Sequence, residues 1–199
     1  MNETEQRRKE WETRYQAGAT GWDRGVPSPA LHAWLASGAL TPCRILIPGC
    51  GRGHEVTYLA QLGFDVTAVD LAPSAVHALR AALATTGVSA QVVEADLFHW
   101  QPDTTFDAIY EQTALCAIDP TMRSDYAERL WTWLKPGGKL YALFMQTGQP
   151  GGPPFHCELV DMRALFPAER WHWPDESATR IPHPSRAEMH ELGFVLTRR

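Results

Sequence analysis

From Cys43 onward the chain alternates short apolar runs with stretches of helical period. Arg44 to Pro48, Phe64 to Asp70, Ala90 to Glu94, Phe106 to Glu111 and Leu140 to Met145 have strand length and are rich in Val, Ile, Leu and aromatic residues. Between them the spacing predicts helices near Arg52 to Leu62, Ser74 to Ala84 and Pro120 to Leu134. Strands that alternate with helices predict an α/β fold, here a three-layer, doubly wound, mostly parallel sheet with its ligand at the carboxyl ends of the strands. After Met145 the loop Gly148 to Pro154 breaks the rhythm. A short helix near Glu158 to Leu165 follows, then two weaker strands, Arg170 to Trp173 and Gly193 to Arg198, read as a C-terminal edge hairpin.

The N-terminal stretch has a different pattern. Asn2 to Ala17 reads as a charged helix with Trp11 and Tyr15 four apart on one face, ended by Gly18. A loop, Thr20 to Pro27, leads to Ser28-Pro29, a cap residue followed by proline at the first helical position, and to a short helix closing near Gly38. Residues 1–40 are therefore expected to form a lid segment, residues 43–199 the core, and the whole of 1–199 a single domain.

Composition narrows the functional classes. The chain has 199 residues, 44% of them hydrophobic, enough for one substantial core. A formal net charge of -5 without a block of Lys and Arg argues against nucleic acid as partner. No apolar run reaches the roughly 20 residues of a membrane helix, and the charged N-terminus is unlike a signal peptide, so the expectation is a cytoplasmic protein with no membrane partner. Cys43, Cys50, Cys116 and Cys157 form no CxxC pair and read as free thiols, and the histidines show no metal-ligand spacing, so no metal site is expected.

The chemistry concentrates in Pro48-Gly49-Cys50-Gly51-Arg52-Gly53-His54 and in Asp70 at the end of the second strand. Glycines at alternate positions allow a tight turn against a ligand, and a carboxylate ending an apolar strand can accept from both ribose hydroxyls. His54 stands where a dinucleotide loop has its third glycine, so the Gly49-x-Gly51-x-Gly53 spacing fits an S-adenosylmethionine loop better. Asp96 in Ala95-Asp96-Leu97-Phe98 reads either as a carboxylate that helps recognise adenine or as a loop cap, and Pro136-Gly137-Gly138 as a connector.

With these residues in order, the chain resembles the class I S-adenosylmethionine-dependent methyltransferases. More narrowly it resembles the thiopurine S-methyltransferase family on its halide/thiol side. The match rests on Trp11, on Thr20-Gly21-Trp22-Asp23-Arg24-Gly25-Val26-Pro27-Ser28-Pro29, on Ile47 to Gly53, on Cys116-Ala117-Ile118-Asp119-Pro120 and on Gly151 to Pro154. The resemblance implies a Rossmann-like fold that binds S-adenosylmethionine and releases S-adenosylhomocysteine. It implies cofactor contacts from Trp11, Tyr15, Trp22, Gly49, Gly51, Gly53, Asp70, Leu71, Asp96, Leu97, Glu111 and Gln112. The acceptor would be a small soft nucleophile (a thiol, bisulfide, halide or metalloid anion) and the protein a monomer or weak homodimer.

Tyr15 stands where the halide/thiol branch usually has a second tryptophan, and Glu111-Gln112-Thr113 where Asp-Tyr-Thr is common. A soft anion already carries its electron pair, so no catalytic base is expected. Glu111, His156 or another base is needed only if the acceptor is an oxygen or nitrogen atom of a metabolite; otherwise Glu111 reads as a cofactor-side contact or as a helix cap. Trp11 and Tyr15 have the alternative task of pinning their helix to the core. A non-catalytic S-adenosylmethionine-binding protein is the remaining alternative.

Overall fold

A computed structural model describes residues 2–175 and 178–199. Met1, the first residue of the expected lid, and Glu176 and Ser177 lie outside the described residues. The chain divides into two compact units, Met1–Gln101 and Pro102–Arg199.

The first unit carries α1 (Glu3–Gln16), α2 (Pro29–Ala36), β1 (Arg44–Pro48), α3 (His54–Gln61), β2 (Asp65–Asp70), α4 (Pro73–Thr86) and β3 (Gln91–Glu94). β2 lies between β1 and β3 and pairs with both in parallel, Pro48 opposite Val69 and Asp70 opposite Glu94. The loops after β1, β2 and β3 therefore open at one end. Ile45, Leu46, Val66, Ala68 and Val69 are almost fully buried, as strands covered on both faces require. Local chemistry sets the helix starts: the Ser28 side chain accepts from Ala30 N ahead of Pro29, and Asn2 and Glu5 form a capping box on α1.

α1 buries no residue fully. A 14-residue helix is marginal by itself in water, so what holds α1 must come from side chains it presents to the rest of the unit.

The second unit carries β4 (Phe106–Gln112), a 3-10 turn (Pro120–Met122), α5 (Arg123–Trp133), β5 (Leu134–Gln146), α6 (Leu159–Leu165), β6 (Trp171–His172), β7 (Thr179–Pro182) and β8 (His190–Arg198). β4 and β5 are parallel, β5 and β8 antiparallel, and β6 and β7 both lie antiparallel against β8. Phe144 packs against Phe166, Trp173 and Phe194 with ring centroids 5.8 to 5.9 Å apart.

The structure corrects the sequence reading at four places. Pro136-Gly137-Gly138 lies inside β5 as a bulge: Phe106 pairs with Leu134, Ala108 with Lys139, and Gly137 has φ 76°. The expected strand from Leu140 thus begins at Leu134, because the bulge absorbs extra residues without ending the pairing. The expected helix from Pro120 begins as a 3-10 turn, which the Asp119 side chain caps at Thr121 N. β6 shrinks to Trp171–His172, while β7 was not expected and becomes the strand that forms the C-terminal hairpin with β8. No helix among the described residues is long and apolar enough to cross a membrane.

Candidate active site

The glycine loop is the frame of the first unit's site. Gly49, Gly51 and Gly53 all have positive φ, 61°, 55° and 72°. At Gly53 a Cβ would fall 2.3 Å from Leu79 Cδ1, so this glycine allows α3 to start against α4. At Gly51 a Cβ would stand 3.0 Å from the Tyr15 hydroxyl. Gly51 thus lets the Tyr15 hydroxyl approach the loop backbone closely.

Asp70 fastens this loop. Its Oδ2 accepts from Gly51 N at 2.8 Å and its Oδ1 from Ala72 N at 2.9 Å. Burial pushes its carboxyl above the usual range, against the pull of the Ala72, Gly51 and Leu71 amides. Each oxygen keeps a further lone pair for a ligand hydroxyl. Leu71 follows at the start of the loop into α4, half-buried.

The three lid aromatics come together. The Trp22 ring meets Trp11 edge-on at 5.6 Å and Tyr15 edge-on at 5.9 Å, in the T-shaped geometry that aromatic pairs favour. Burial and the nearby Asp70 charge push the Tyr15 phenol well up, so it stays neutral beside the loop.

Asp96, expected either as an adenine contact or as a loop cap, is held by the polypeptide itself. Its Oδ2 accepts from Thr4 Oγ1 and from Arg7 Nη2, both at 2.7 Å, and its Oδ1 accepts from Phe98 N at 3.0 Å. Despite the cost of its burial, the Thr4 and Arg7 hydrogen bonds hold its carboxyl down at about 2. The same helix pairs Arg8 with Glu94, and its Glu12 carboxylate accepts from Ser74 N at 2.9 Å and Ser74 Oγ at 2.5 Å in the first turn of α4. α1 is thus latched at the carboxyl ends of β2 and β3 by polar side chains. Leu97 follows Asp96, half-buried.

A second latch holds the Trp22 loop. Asp23 accepts from Arg52 Nη1 and pairs with His54 Nε2, both at 2.8 Å, and accepts from Gly25 N at 2.8 Å. The Gly25 amide, His54 and Arg52 hold its carboxyl low against the effect of burial. Sequence reading missed Thr4, Arg7, Arg8, Glu12, Asp23, Arg52, His54 and Ser74 as site-building residues. Only Ser74 gave a local signal, since a helix N-terminus seeks an acceptor.

Glu111 and Gln112, expected as cofactor contacts, end β4 in the second unit. Glu111 is 1% exposed and its Oε1 accepts from Leu115 N at 2.6 Å. Burial pushes its carboxyl up to about 8, helped by Glu191 and opposed by Leu115 N and Arg123. Gln112 accepts from Tyr110 OH at 2.8 Å and donates weakly to Glu191 Oε2 at 3.5 Å. Among the described residues no group of three His, Cys, Asp or Glu side chains is arranged to hold a metal.

The donor set fits an S-adenosyl nucleoside: a cradle that a Cβ at Gly51 would fill, a buried carboxylate ending an apolar strand, and an aromatic wall that suits a sulfonium cation. The fold is that of solved class I methyltransferases. The 1,6-didemethyltoxoflavin-N1-methyltransferase of Burkholderia thailandensis matches with a TM-score of 0.77 and 23% identity over 96% of this chain and 86% of that one. Residues 6–180 match the thiopurine S-methyltransferase family, and the chain belongs to it as an S-adenosylmethionine-dependent methyltransferase. It is 35% identical to "Probable thiol methyltransferase 2" of Arabidopsis thaliana over 159 residues, 78% of this chain and 70% of that protein. It is 36% identical to "Thiocyanate methyltransferase 1" of Brassica oleracea over 151 residues, 73% of this chain and 66% of that protein.

Proposed function

We propose that this enzyme methylates a small soft nucleophile, a thiol, bisulfide, thiocyanate, halide or metalloid anion. The carrying observation is the 35 to 36% identity to relatives named for a thiol and for thiocyanate, over about three quarters of the chain. Bound S-adenosylmethionine supplies an electrophilic sulfonium methyl group. Asp70 accepts from the ribose hydroxyls while it fixes Gly51, and Leu71 and Leu97 flank the nucleoside. Trp11, Tyr15 and Trp22 wall the sulfonium and exclude water, which strengthens the attraction between an anion and a cation that lose their charges as they react. Asp96 serves the site by holding α1, the helix that carries Trp11 and Tyr15. Rate comes mainly from alignment of donor and acceptor.

A second reading has an oxygen or nitrogen acceptor whose proton must be removed. The observation that favours it is the Glu111 carboxyl at about 8, a value suited to a base near neutral pH. We also infer a cytoplasmic location, a monomer or weak homodimer, and no nucleic-acid partner, the last supported by the acidic net charge of -5.

The deciding experiment measures S-adenosylhomocysteine formation with iodide, bisulfide, a thiophenol, a thiopurine and selenite. Between about pH 6 and 7.5, turnover on thiols should track acceptor ionisation while iodide turnover stays flat. Tight donor binding with no turnover on any of these acceptors would overturn the soft-nucleophile reading.

A further inference from the structure

The turn after β4 combines two features that seldom occur together. Thr113 has φ 63°, the one described residue other than glycine with positive φ, a strained conformation for a β-branched side chain. Two residues before it lies Glu111, a carboxyl group with almost no solvent exposure. Such strain persists only where neighbouring bonds enforce it. Here Leu115 N donates to Glu111 Oε1 at 2.6 Å, Cys116 Sγ donates to Thr113 O at 3.3 Å, and Ala117 N and Ile118 N donate to Ala114 O at 3.0 and 3.1 Å. Phe155 N donates to Cys116 O at 2.7 Å, and Arg123 Nη1 donates to His156 O at 3.0 Å. The turn is thus tied at one end to the Glu111 side chain and at the other to the Phe155-His156 segment.

We propose that Glu111 is a positioning residue of the methyl-transfer reaction, fixing the strained Thr113–Cys116 turn at the carboxyl end of β4 by accepting from the Leu115 amide. This rests on the methyl-transfer reading and on the expectation that a doubly wound sheet takes its ligand at the carboxyl ends of its strands. It also replaces the base assigned to Glu111 in the second reading.

Glu111 does this work as a neutral acid. Its Oε2 is buried with no hydrogen-bond partner, and an ionised carboxylate with one bare oxygen in an apolar setting is costly. The groups that face it are Glu191, which opposes its ionisation, and Arg123, which favours it. Cys116 and Tyr126 also face it, and both are held protonated by burial. Cys157, facing Cys116 and Arg123, is pushed up to about 11. Of Glu111, Cys116, Tyr126 and Cys157, Glu111 is therefore the group that changes charge first as pH rises. When it ionises, Oε1 accepts more strongly from Leu115 N, but burying the charge costs more than that bond returns, so opening of the strained turn to water becomes easier.

The test compares the wild type with Glu111→Ala and Glu111→Gln by amide hydrogen exchange at residues 113–118 and by turnover with iodide, an acceptor that does not titrate. Exchange is read as protection factors, which divide out the intrinsic pH dependence. In the wild type, protection of the turn should fall as pH rises from about 4.5 to 8, where the opened turn ionises its carboxyl and the closed one does not, and kcat should fall as the buried carboxyl itself ionises at about 8. Glu111→Ala should lose protection at every pH and lower kcat by about tenfold or more. Glu111→Gln keeps the Leu115 bond without an ionisable group, so it should restore most of kcat and remove the decline with pH in both readouts. A Glu111→Gln enzyme with a protected turn and abolished iodide turnover would show that the carboxyl acts other than through the turn and overturn the proposal, as would wild-type protection that does not change with pH. If the wild type methylates none of the acceptors, the soft-nucleophile reading fails, while the exchange data still decide whether Glu111 holds the turn.

Discussion

Arg7 and Asp96, 89 positions apart, meet at 2.7 Å and join the lid helix to the loop after β3. The helix buries no residue fully, so this pair, the Arg8 to Glu94 contact and the Glu12 bonds to Ser74 decide where Trp11 and Tyr15 stand. On the proposed reading, in which Trp11 and Tyr15 wall the donor, this small set of polar contacts couples lid docking to donor binding.

Arg7→Ala should weaken S-adenosylmethionine binding by roughly three- to tenfold, the lower range for loss of a charged hydrogen bond at a partly exposed guanidinium. It should also speed proteolysis within residues 2–16. Calorimetry and limited proteolysis check both, and unchanged donor affinity with a loosened helix would show that the lid and the donor site act independently.

Trp22→Ala removes the ring that meets both Trp11 and Tyr15. Cation–π and edge contacts of about 0.5–2 kcal/mol act on the bound ground state as much as on the transition state. The apparent donor constant should therefore rise at least as strongly as turnover falls. Steady-state kinetics with varied donor separate the two, and a loss confined to turnover contradicts this assignment.

Gly53→Ala places a Cβ 2.3 Å from Leu79 at φ 72° and should lower stability by about 1–3 kcal/mol in urea unfolding. Gly51→Ala meets only the Tyr15 hydroxyl, at 3.0 Å, and should mainly impair donor binding. Adding Tyr15→Phe to Gly51→Ala should recover part of that binding, a coupling of about 0.5 kcal/mol or more in a double-mutant cycle.

The pH response should show two windows of opposite sign. The Asp96 carboxyl lies at about 2, below its ordinary value of 3.8, so the stability it contributes is present above about 3.8 and is lost as pH falls toward 2. Glu111 lies at about 8, above its ordinary 4.5, so its contribution is present below about 4.5 and is lost as pH rises through 8. In melting curves Asp96→Asn should remove part of the acid-side dependence, and Glu111→Gln should flatten the alkaline side.

Much of the molecule was legible beforehand, for reasons local to each segment. The bounds of β1, the Ser28 cap and the end of α1 before Gly18 matched because strand period, capping and glycine breaks act within a few residues. Asp70 and Gly51 were recognisable from composition and spacing, and they do bond to each other. β7 was missed because Thr179–Pro182 carries no strong alternation, and its pairing comes from β8 instead.

By itself the sequence determined the α/β alternation, the glycine loop, its carboxylate and the aromatic content of the lid. These follow from backbone sterics and from the burial of apolar periods, which neighbouring residues decide. The tertiary structure alone decided what each carboxylate does. Asp96 went to Arg7 and Thr4 rather than standing free, Glu12 went to α4, and Glu111 turned to Leu115 and kept its proton. A carboxylate's role depends on how much water it loses and on which donors the fold brings within 3 Å, and for Asp96 and Glu12 those donors lie far away along the chain.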